Sequence, residues 1–265
     1  MKDVQEYEGI KFSQGSVKKV TDPLCVEAPL QITINGESFT VVMRTPGNER
    51  ELATGLLHAE NVITDFNQVK WSEVFDKYNR IEELKLETPK ENLGDGFLSS
   101  RSLLSVSSCG ICGKKELGDL LPKEKAMEQG FSISFEKVLE MLKNMHAKQR
   151  VFNITGGCHG IAAFDTAGNM LCLHEDIGRH NALDKVVGDL LINNKISQAK
   201  VLTYSGRTSY EMVSKAFRAK IPVIASVSAP SSLSIDFAKE FGLTLIGFAR
   251  DTEATCYSGS ERMTI

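Results

Sequence analysis

The sequence lacks a long hydrophobic run. No stretch approaches the roughly 18–20 apolar residues that a membrane-spanning helix requires. The first residues, MKDVQEYEGIKFSQGSVKKV, have none of the apolar core of a secretory signal. We therefore expect a cytoplasmic protein with no membrane partner.

An excess of positive charge is also missing. The 265 residues include 31 Lys and Arg against 34 Asp and Glu, which gives a formal net charge of -3. Such a chain has no overall positive field to neutralise a nucleic acid backbone, so we expect no nucleic acid partner. Hydrophobic residues make up 42% and charged residues 25%, which is typical of a globular protein.

Cysteine is scarce, with six residues in the chain. This density is far below that of a secreted disulfide framework, and in a reducing compartment thiols are more often ligands, nucleophiles or buried packing groups. Cys25, Cys172 and Cys256 lie in apolar or strand-like sequence, where the usual role of a cysteine is inert packing.

The N-terminal part begins with a clear hairpin pattern. Two apolar runs within residues 29–43 flank Asn35-Gly36, a pair whose tolerance of positive φ is typical of a two-residue type I′ turn. Asn48 followed by Glu51 is typical of a helix start, and the leucines that follow recur on one helical face. The sequence therefore predicts a hairpin with a helix packed on it.

The next segments have weaker patterns. Residues 70–86 mix apolar and charged side chains and predict one or two strands, or a strand with a short helix. Residues 91–115 are rich in serine and glycine and predict a long irregular loop, which in a compact chain is usually functional or mobile. We predict a smaller α+β domain over residues 1–130 that contains the hairpin and this loop.

Residues 131–265 predict an α/β domain. Helical spacing returns at 134–148. Residues 151–157, VFNITGG, are interpreted as a short strand ending in glycines, and a hairpin turning at 167–169 and an amphipathic helix over 177–194 follow.

The rest of this domain, residues 199–251, has the pattern strand, helix, strand, helix, strand with short connections. Such alternation predicts parallel strands joined by right-handed crossovers.

Three loops of this domain each follow a predicted strand: Thr155-Gly156-Gly157, Ser205–Ser209 and Ser228–Ser232. Ligands of open α/β sheets collect at the carboxyl ends of strands, where helix N-termini favour anions. The guanidinium group of Arg207 can bind a phosphate through two parallel hydrogen bonds. Taken singly, the hydroxyl residues are more often plain helix caps, but three loops at one edge predict a phosphate or nucleotide cradle. Its predicted residues are Ser205, Gly206, Arg207, Ser228 and Ser231.

A polar segment precedes the helix predicted at 177–194. Glu175 and Asp176 are interpreted as first-turn acids near the positive end of its dipole. Arg179, His180 and Asn181 fit either a solvated first turn or a surface that faces a polar ligand.

Cys109 and Cys112 form a Cys-x-x-Cys motif. This spacing fits half of a zinc site, a redox dithiol, or a nucleophilic thiol with a second thiol nearby. A zinc ribbon needs a second such motif, which the sequence lacks. The glycines and the two lysines that follow Cys112 fit an accessible thiol held as thiolate.

Together the motifs resemble the formate dehydrogenase accessory sulfurtransferase family, FdhD. The resemblance runs in order from about residue 45 to the C-terminal end and ends at the region of Tyr257. The segments that carry it are TPGNERELATGLL, SSCGICGK, TGGCHGIAAF, EDIGRHNALDKVVG, SGRTSYEMVSKA and SVSAPSSLSIDFAKEFGLTLIGFAR.

The resemblance implies a sulfur carrier that takes sulfur from a cysteine desulfurase. The acceptor is the molybdenum (or tungsten) bis-pterin guanine dinucleotide cofactor, loaded before its insertion into formate dehydrogenase. It further implies that Cys109 carries a persulfide and that Cys112 supports it. Cofactor binding is assigned to Phe248, Ala249, Arg250, Asp251, Thr252 and Glu253.

The fold implied by the resemblance is a cytidine-deaminase-like mixed sheet flanked by helices, in a homodimer with no permanently bound metal. Thr252 and Glu253 stand where members of the family usually have a second basic residue, which weakens the expected phosphate grip there. The deaminase zinc pattern is absent, so the fold carries no deaminase chemistry. The alternative is a nucleotide-cofactor-binding chaperone whose Cys109 and Cys112 hold a structural zinc.

Overall fold

Strands dominate the N-terminal part of the chain, and helices alternate with strands in the C-terminal part. The computed structural model describes residues 2–99, 125–128 and 130–265. The N-terminal elements are β1 (Val4–Ser13), β2 (Ser16–Cys25), β3 (Ala28–Ile34), β4 (Glu37–Arg44), α1 (Glu49–Ala59), β5 (Lys70–Phe75), β6 (Ile81–Glu87) and α2 (Asp95–Ser99).

The C-terminal elements form the larger unit. They are β7 (Ile133–Ser134), α3 (Phe135–Lys148), α4 (Arg150–Thr155), β8 (His159–Phe164), β9 (Met170–Asp176), α5 (Arg179–Ile192), β10 (Val201–Tyr204), α6 (Tyr210–Arg218), β11 (Val223–Ser226), α7 (Ser232–Glu240), β12 (Thr244–Arg250), β13 (Glu253–Ser258) and β14 (Met263–Thr264). Short 3-10 helices occur at Phe66–Gln68, Lys90–Asn92 and Ser260–Arg262.

The larger sheet has the strand order β13-β12-β11-β10-β8-β9 over the described ranges. Strands β10, β11 and β12 run parallel, and β8, β9 and β13 are antiparallel to their neighbours. The predicted alternation of strands and helices over residues 199–251 is confirmed. Because β8 opposes β10, the start of β8 lies at the same edge as the ends of the parallel strands.

Both faces of this sheet are covered. Leu202 and Tyr204 of β10 point to the face packed by α5, α6 and α7, whereas Val201 points to the face packed by α3. Strands buried on both faces need apolar residues at nearly every position, which explains the continuous apolar runs of this part of the sequence.

The smaller sheet has the order β4-β3-β6-β5 in the part of the chain that the structure describes. The predicted hairpin is confirmed: Asn35 and Gly36 have φ values of 50° and 81° at the turn, as a type I′ turn requires. Residues 70–86 form the two strands β5 and β6. Helix α1 covers this sheet and buries Leu52 and Leu57 against it.

Helix α1 also crosses α5 at close range, which joins the two sheets. A Cβ atom at Gly55 would lie 1.9 Å from the backbone oxygen of Asp184, and one at Gly188 would lie 1.9 Å from the backbone oxygen of Glu51. Helix α5 is therefore buried on most sides, with ten buried residues. The amphipathic pattern predicted for 177–194 underestimates this burial, because the packing of α1 covers the side predicted to face solvent.

The fold class is confirmed as mixed α/β, with a mixed sheet flanked by helices beside a smaller α+β part. The boundary between residues 130 and 131 stays a prediction. Among the described residues, the helices are too short or too polar to cross a bilayer.

The strand predicted at 151–157 is wrong, because residues 150–155 form helix α4 and Gly156 ends it in the left-handed region. The cause is distant in sequence. The carboxylate of Glu175 accepts hydrogen bonds from the backbone N–H groups of Val151 and Phe152, both at 2.8 Å, and so caps the helix. A short apolar run cannot reveal such a partner.

Three smaller differences concern the N-terminal part. The exposed hairpin β1–β2 is not predicted by the sequence pattern. Helix α2 lies inside the segment predicted as an irregular loop. Helix α1 begins at Glu49 as predicted, but Asn48 makes no capping bond; the N–H of Gly47 donates to the Glu49 carboxylate at 2.8 Å instead.

Candidate functional site

The loops that follow β10, β11 and β12 meet at one edge of the larger sheet, which we call the strand-end edge. The N–H of Thr208 donates to the Ala229 oxygen at 3.2 Å, and the N–H of Phe248 donates to the Ser228 oxygen at 3.2 Å. The Ser226 hydroxyl donates to the Gly206 oxygen at 2.6 Å. The loops after β10 and β11 and the end of β12 thus form one hydrogen-bonded unit.

The predicted cradle residues all lie at this edge. The Ser205 hydroxyl accepts from the N–H of Gly160 at 2.9 Å, and the Ser231 hydroxyl accepts from the N–H of Ser234 at 3.2 Å. Ser231 is therefore a helix cap for α7, and Ser205 fastens its loop to β8. Arg207 is exposed and makes no hydrogen bond or ion pair with any residue that the structure describes.

The loop Thr155-Gly156-Gly157 is predicted to follow a strand, but the preceding element is a helix. It follows helix α4 and not a strand, so it supplies no free N–H groups of a helix start. The loop still lies at the strand-end edge because it leads into β8. Cys158, the residue after this loop, is buried. The next residue, His159, lies close to Gly206: a Cβ atom at Gly206 would lie 3.0 Å from the His159 Nδ1 atom.

Positive charge is concentrated around His159. Burial lowers the pKa of the His159 ring, and the nearby guanidinium groups of Arg179 and Arg207 lower it further, whereas the Asp176 carboxylate opposes this shift. Arg250 extends the charge along the edge, and its Nε atom donates to the Val227 oxygen at 2.9 Å. Several cations at the ends of parallel strands are a suitable environment for an anionic ligand.

Phe248 has an unusual backbone. Its φ is 53°, in the left-handed region, at a point where the β12–β13 register shifts between Gly247 and Arg250. The side chain is 47% exposed, and its ring lies 6.5 Å from the ring of Tyr257. Left-handed aromatic residues are rare and costly, and they cluster at functional sites.

The other residues of the 248–253 segment have separate positions. Ala249 is buried against α3. Asp251, with φ of 49°, and Thr252 form the turn between β12 and β13. Glu253 is exposed and pairs across the strands with Arg250. The segment therefore offers a ring, a guanidinium group and a turn at the strand-end edge.

Asp176 is the centre of a buried polar network. Its Oδ2 atom accepts from the N–H of Thr45 at 3.1 Å and lies 2.8 Å from Lys185 Nζ. Its Oδ1 atom accepts from the N–H of Gly178 at 2.9 Å and from the Asn181 amide at 3.0 Å. The network connects the strand-end edge to Thr45, which follows strand β4 of the smaller sheet.

The interpretation of Glu175 and Asp176 as first-turn acids of α5 is wrong. Both end strand β9, and their carboxylates bind partners from other elements. His180 lies 2.9 Å from the Glu211 carboxylate and Asn181 belongs to the Asp176 network, so both have structural roles. Arg179 is half-buried, and its Nε has no hydrogen-bond partner among the described residues.

Cys25 and Cys158 form a thiol pair that sequence reasoning missed. Their Sγ atoms lie 2.7 Å apart, and the Thr45 hydroxyl lies 3.1 Å from the Cys25 sulfur. The hydrogen bond with Cys158 is the main cause that lowers the pKa of Cys25 to about 7, whereas the same bond and burial raise the pKa of Cys158. The sequence predicts Cys25 as inert packing; the structure gives it two polar partners, of which Cys158 lies 133 positions away.

Three further side chains have ligand-type atoms within 4.8 Å of one another: Cys172, His174 and Asp189. The ring of His174 and the carboxylate of Asp189 already share a hydrogen bond of 2.6 Å. Burial raises the pKa of Cys172 to about 12, so its thiol is protonated near neutral pH. A hydrogen-bonded pair of His174 and Asp189 beside a packed thiol accounts for this cluster.

A cavity of about 840 Å³ lies at the opposite edge of the sheet, near Lys200, Arg218 and Pro222. Lys200 and Pro222 precede β10 and β11, so this cavity is remote from the predicted cradle. Cys109 and Cys112 lie outside the described residues, and their roles stay predictions.

The model of the FdhD/NarQ family matches residues 25–264. The sulfur carrier protein FdhD of Saccharolobus solfataricus is 38% identical over 264 residues, 98% of each chain. The protein of the same name from Nocardia farcinica is 38% identical over 252 residues, which is 91% of this chain and 88% of the relative.

A solved structure has the same fold. It is described as a candidate formate dehydrogenase accessory protein from Desulfotalea psychrophila, and it superposes with a TM-score of 0.76 at 21% identity, covering 99% of this chain and all of its own. That identity is low, so this likeness concerns the fold alone. The family match and the curated relatives cover nearly the whole chain, and the chain belongs to the FdhD/NarQ family.

Proposed function

We propose that this protein is a sulfur carrier that delivers sulfur to a molybdenum cofactor bearing guanine nucleotides, before that cofactor enters formate dehydrogenase. One observation carries the proposal: two hydrogen-bonded loops and the end of β12 bring Arg207, Arg250 and His159 to a single sheet edge. The names of its relatives, which cover at least nine-tenths of this chain, support sulfur as the cargo.

Cys109 is the carrier in this proposal. Its thiolate attacks the outer sulfur of the persulfide on a cysteine desulfurase. A new sulfur–sulfur bond forms at Cys109, the old one breaks, and the desulfurase cysteine leaves as thiolate. Cys112 supports the carrier thiol. This assignment rests on the Cys-x-x-Cys motif and its lysine neighbours.

The cofactor is the substrate that the cradle recognises. Arg207 and Arg250 pair with the nucleotide phosphates, and the N–H groups at the starts of α6 and α7 add hydrogen-bond donors. The exposed ring of Phe248 and its neighbour Tyr257 offer a stacking surface for a planar base. Glu253, the cross-strand partner of Arg250, reduces the positive potential around Arg250. Arg207 therefore contributes more than Arg250 to phosphate binding.

Three partners follow from this role: a cysteine desulfurase, the formate dehydrogenase apoenzyme and a second copy of the chain in a homodimer. Exposed apolar residues on the hairpin β1–β2, among them Ile10, Phe12 and Val17, support a contact surface on this hairpin.

Maturation of formate dehydrogenase in cells that lack the native carrier tests the function. Cys109→Ala is expected to abolish formate dehydrogenase activity while the variant stays folded by circular dichroism. Cys256→Ala is the matched control, because it removes an exposed thiol of β13 and is expected to leave maturation unchanged. Full activity of Cys109→Ala would contradict the carrier role.

Metal content separates this proposal from a chaperone with a structural zinc. The carrier is expected to purify without stoichiometric zinc at Cys109 and Cys112. One zinc per chain that is lost in both Cys109→Ala and Cys112→Ala would favour the chaperone.

A further inference from the structure

Cys25 and Cys158 are placed for chemistry with each other. Cys25 ends strand β2 and Cys158 precedes β8, and the two sulfurs approach to 2.7 Å. A disulfide requires a sulfur–sulfur distance of about 2.05 Å, so a small movement of either side chain would join them. Cys158 is 5% exposed, whereas Cys25 is half-buried. One thiol is therefore accessible and the other is held behind it.

The surroundings favour a reactive Cys25. The Thr45 hydroxyl accepts from the N–H of Ile177 at 3.0 Å, so its own hydrogen is available to the Cys25 sulfur at 3.1 Å. Residue 157 is glycine; a Cβ there would lie 3.4 Å from the Cys25 Cβ. The glycine therefore leaves this side of Cys25 uncovered.

The charged groups around the pair have opposite signs. Asp3, Glu175 and Asp176 disfavour the thiolates, while Arg150 pairs with Asp3 and Lys185 pairs with Asp176. The hydrogen bonds from Cys158 and Thr45 outweigh burial and the carboxylates, so the pKa of Cys25 is lowered to about 7. A lowered pKa favours the thiolate of Cys25, which is the nucleophilic form.

We propose that Cys25 and Cys158 form a reducing dithiol site that takes the outer sulfur of a persulfide and releases it as sulfide. The substrate class is a persulfide, R–S–SH, and in the cell the carrier persulfide on Cys109 supplies it, so this site deepens the proposed function and rests on it.

The reaction has two steps. In the first, the Cys25 thiolate attacks the outer sulfur of R–S–SH; a bond forms between the two sulfurs, the original sulfur–sulfur bond breaks, and R–S⁻ leaves. In the second, the Cys158 sulfur attacks the Sγ atom of Cys25, a disulfide forms, and the transferred sulfur leaves as HS⁻ and takes up the Cys158 proton, which gives hydrogen sulfide.

In sum, one persulfide, the Cys25 thiolate and the Cys158 thiol give one R–S⁻ thiolate, the Cys25–Cys158 disulfide and one molecule of hydrogen sulfide. Two thiols are oxidised to one disulfide and the outer sulfur is reduced by two electrons. A further turnover needs a dithiol reductant to restore the pair.

The test uses the full chain with Cys109→Ser and Cys112→Ser, so that the motif thiols cannot react, and glutathione persulfide as the probe. One equivalent of sulfide and a disulfide-linked peptide pair containing Cys25 and Cys158 are expected by non-reducing mass spectrometry. In the variant that also carries Cys158→Ser, the reaction should stop at a Cys25 persulfide, and no disulfide should form between the two sites. Adding Cys256→Ser, the matched control, should change nothing.

Free thiols at both positions after treatment, or a Cys25–Cys158 disulfide formed at the same rate without persulfide, would overturn the inference. Loading of Cys109 by desulfurase and cysteine is measured separately in the otherwise unaltered chain. If Cys109 loads and the dithiol does not react, the inference alone fails. If the dithiol reacts with the probe and Cys109 never loads, the proposed function fails; the reaction of Cys25 and Cys158 with a persulfide is then established, but Cys109 is not its source in the cell.

Discussion

The buried network around Asp176, where the parts of the chain that carry the two sheets meet, and the exposed strand-end edge use similar polar residues in opposite ways. At the junction, Asp176 has four partners and Lys185 binds both Asp176 and the Thr45 oxygen. At the edge, Arg207 is exposed and has no partner among the described residues. Satisfied buried charges serve the fold, whereas an unpartnered cation beside other cations is available to a ligand.

The largest effect should come from breaking a buried pair. Lys215 Nζ lies 2.6 and 2.7 Å from the two carboxylate oxygens of Asp184. Lys215→Met leaves this carboxylate buried and unpaired, so we expect a loss of about 3–5 kcal/mol in the free energy of unfolding by urea denaturation. Asp184→Leu combined with Lys215→Met should recover most of this loss. An unaltered midpoint for Lys215→Met would show that the pair contributes nothing.

At the strand-end edge, we expect the loss of a side chain to weaken nucleotide binding without lowering the stability of the free protein. Excess GDP at about 100 times its Kd should stabilise the wild type by about 2.7 kcal/mol in thermal unfolding. Arg207→Ala should weaken GDP binding roughly ten- to hundredfold, the value of a charge-assisted hydrogen bond, and change the stability of the free protein by less than about 0.5 kcal/mol.

Arg218→Ala removes the same charge at the opposite sheet edge and serves as the control for Arg207→Ala. It should leave GDP protection unchanged. Equal loss of protection in the two variants would mean that GDP responds to overall charge and that the cradle does not select it.

A smaller effect tests the strained backbone at Phe248. Glycine adopts a φ of 53° without steric cost, whereas a residue with a Cβ pays about 1–2 kcal/mol there. The free energy of unfolding of Phe248→Gly should therefore exceed that of Phe248→Ala by about 1 kcal/mol. Both variants lose the ring, so the ring does not contribute to this difference. Both should bind GDP more weakly than wild type. Equal free energies of unfolding for the two variants would show that the backbone at residue 248 is not strained.

The smallest effect concerns one hydrogen bond at the thiol pair. Alkylation of Cys25 by iodoacetamide should rise with pH through a midpoint of about 7, because the thiolate reacts and its pKa is lowered to that value. Thr45→Val removes the hydroxyl and should move the midpoint to higher pH, while Thr45→Ser should keep it. A midpoint that is the same in all three proteins would contradict the role of Thr45.

The regular elements of the C-terminal part could be predicted because their signals are local. Apolar strands alternate with helices between short loops, and the cradle loops follow from the rule that parallel strands end at one edge. The hairpin at Asn35-Gly36 was equally predictable, since the turn chemistry lies within two residues.

The errors have a common origin in partners that lie far apart in sequence. Helix α4 depends on Glu175, which is 24 residues from Val151. Cys25 depends on Cys158, and the burial of α5 depends on the glycine contacts with α1. Periodicity and spacing describe neighbours along the chain, so they cannot report contacts that the tertiary fold creates.

The intact mass of the full chain after incubation with a cysteine desulfurase and cysteine tests the central claim most directly. The account predicts a gain of one sulfur atom, mapped to Cys109, reversed by a thiol reductant and absent from Cys109→Ala. An unchanged mass, with stoichiometric zinc bound through Cys109 and Cys112, would contradict it.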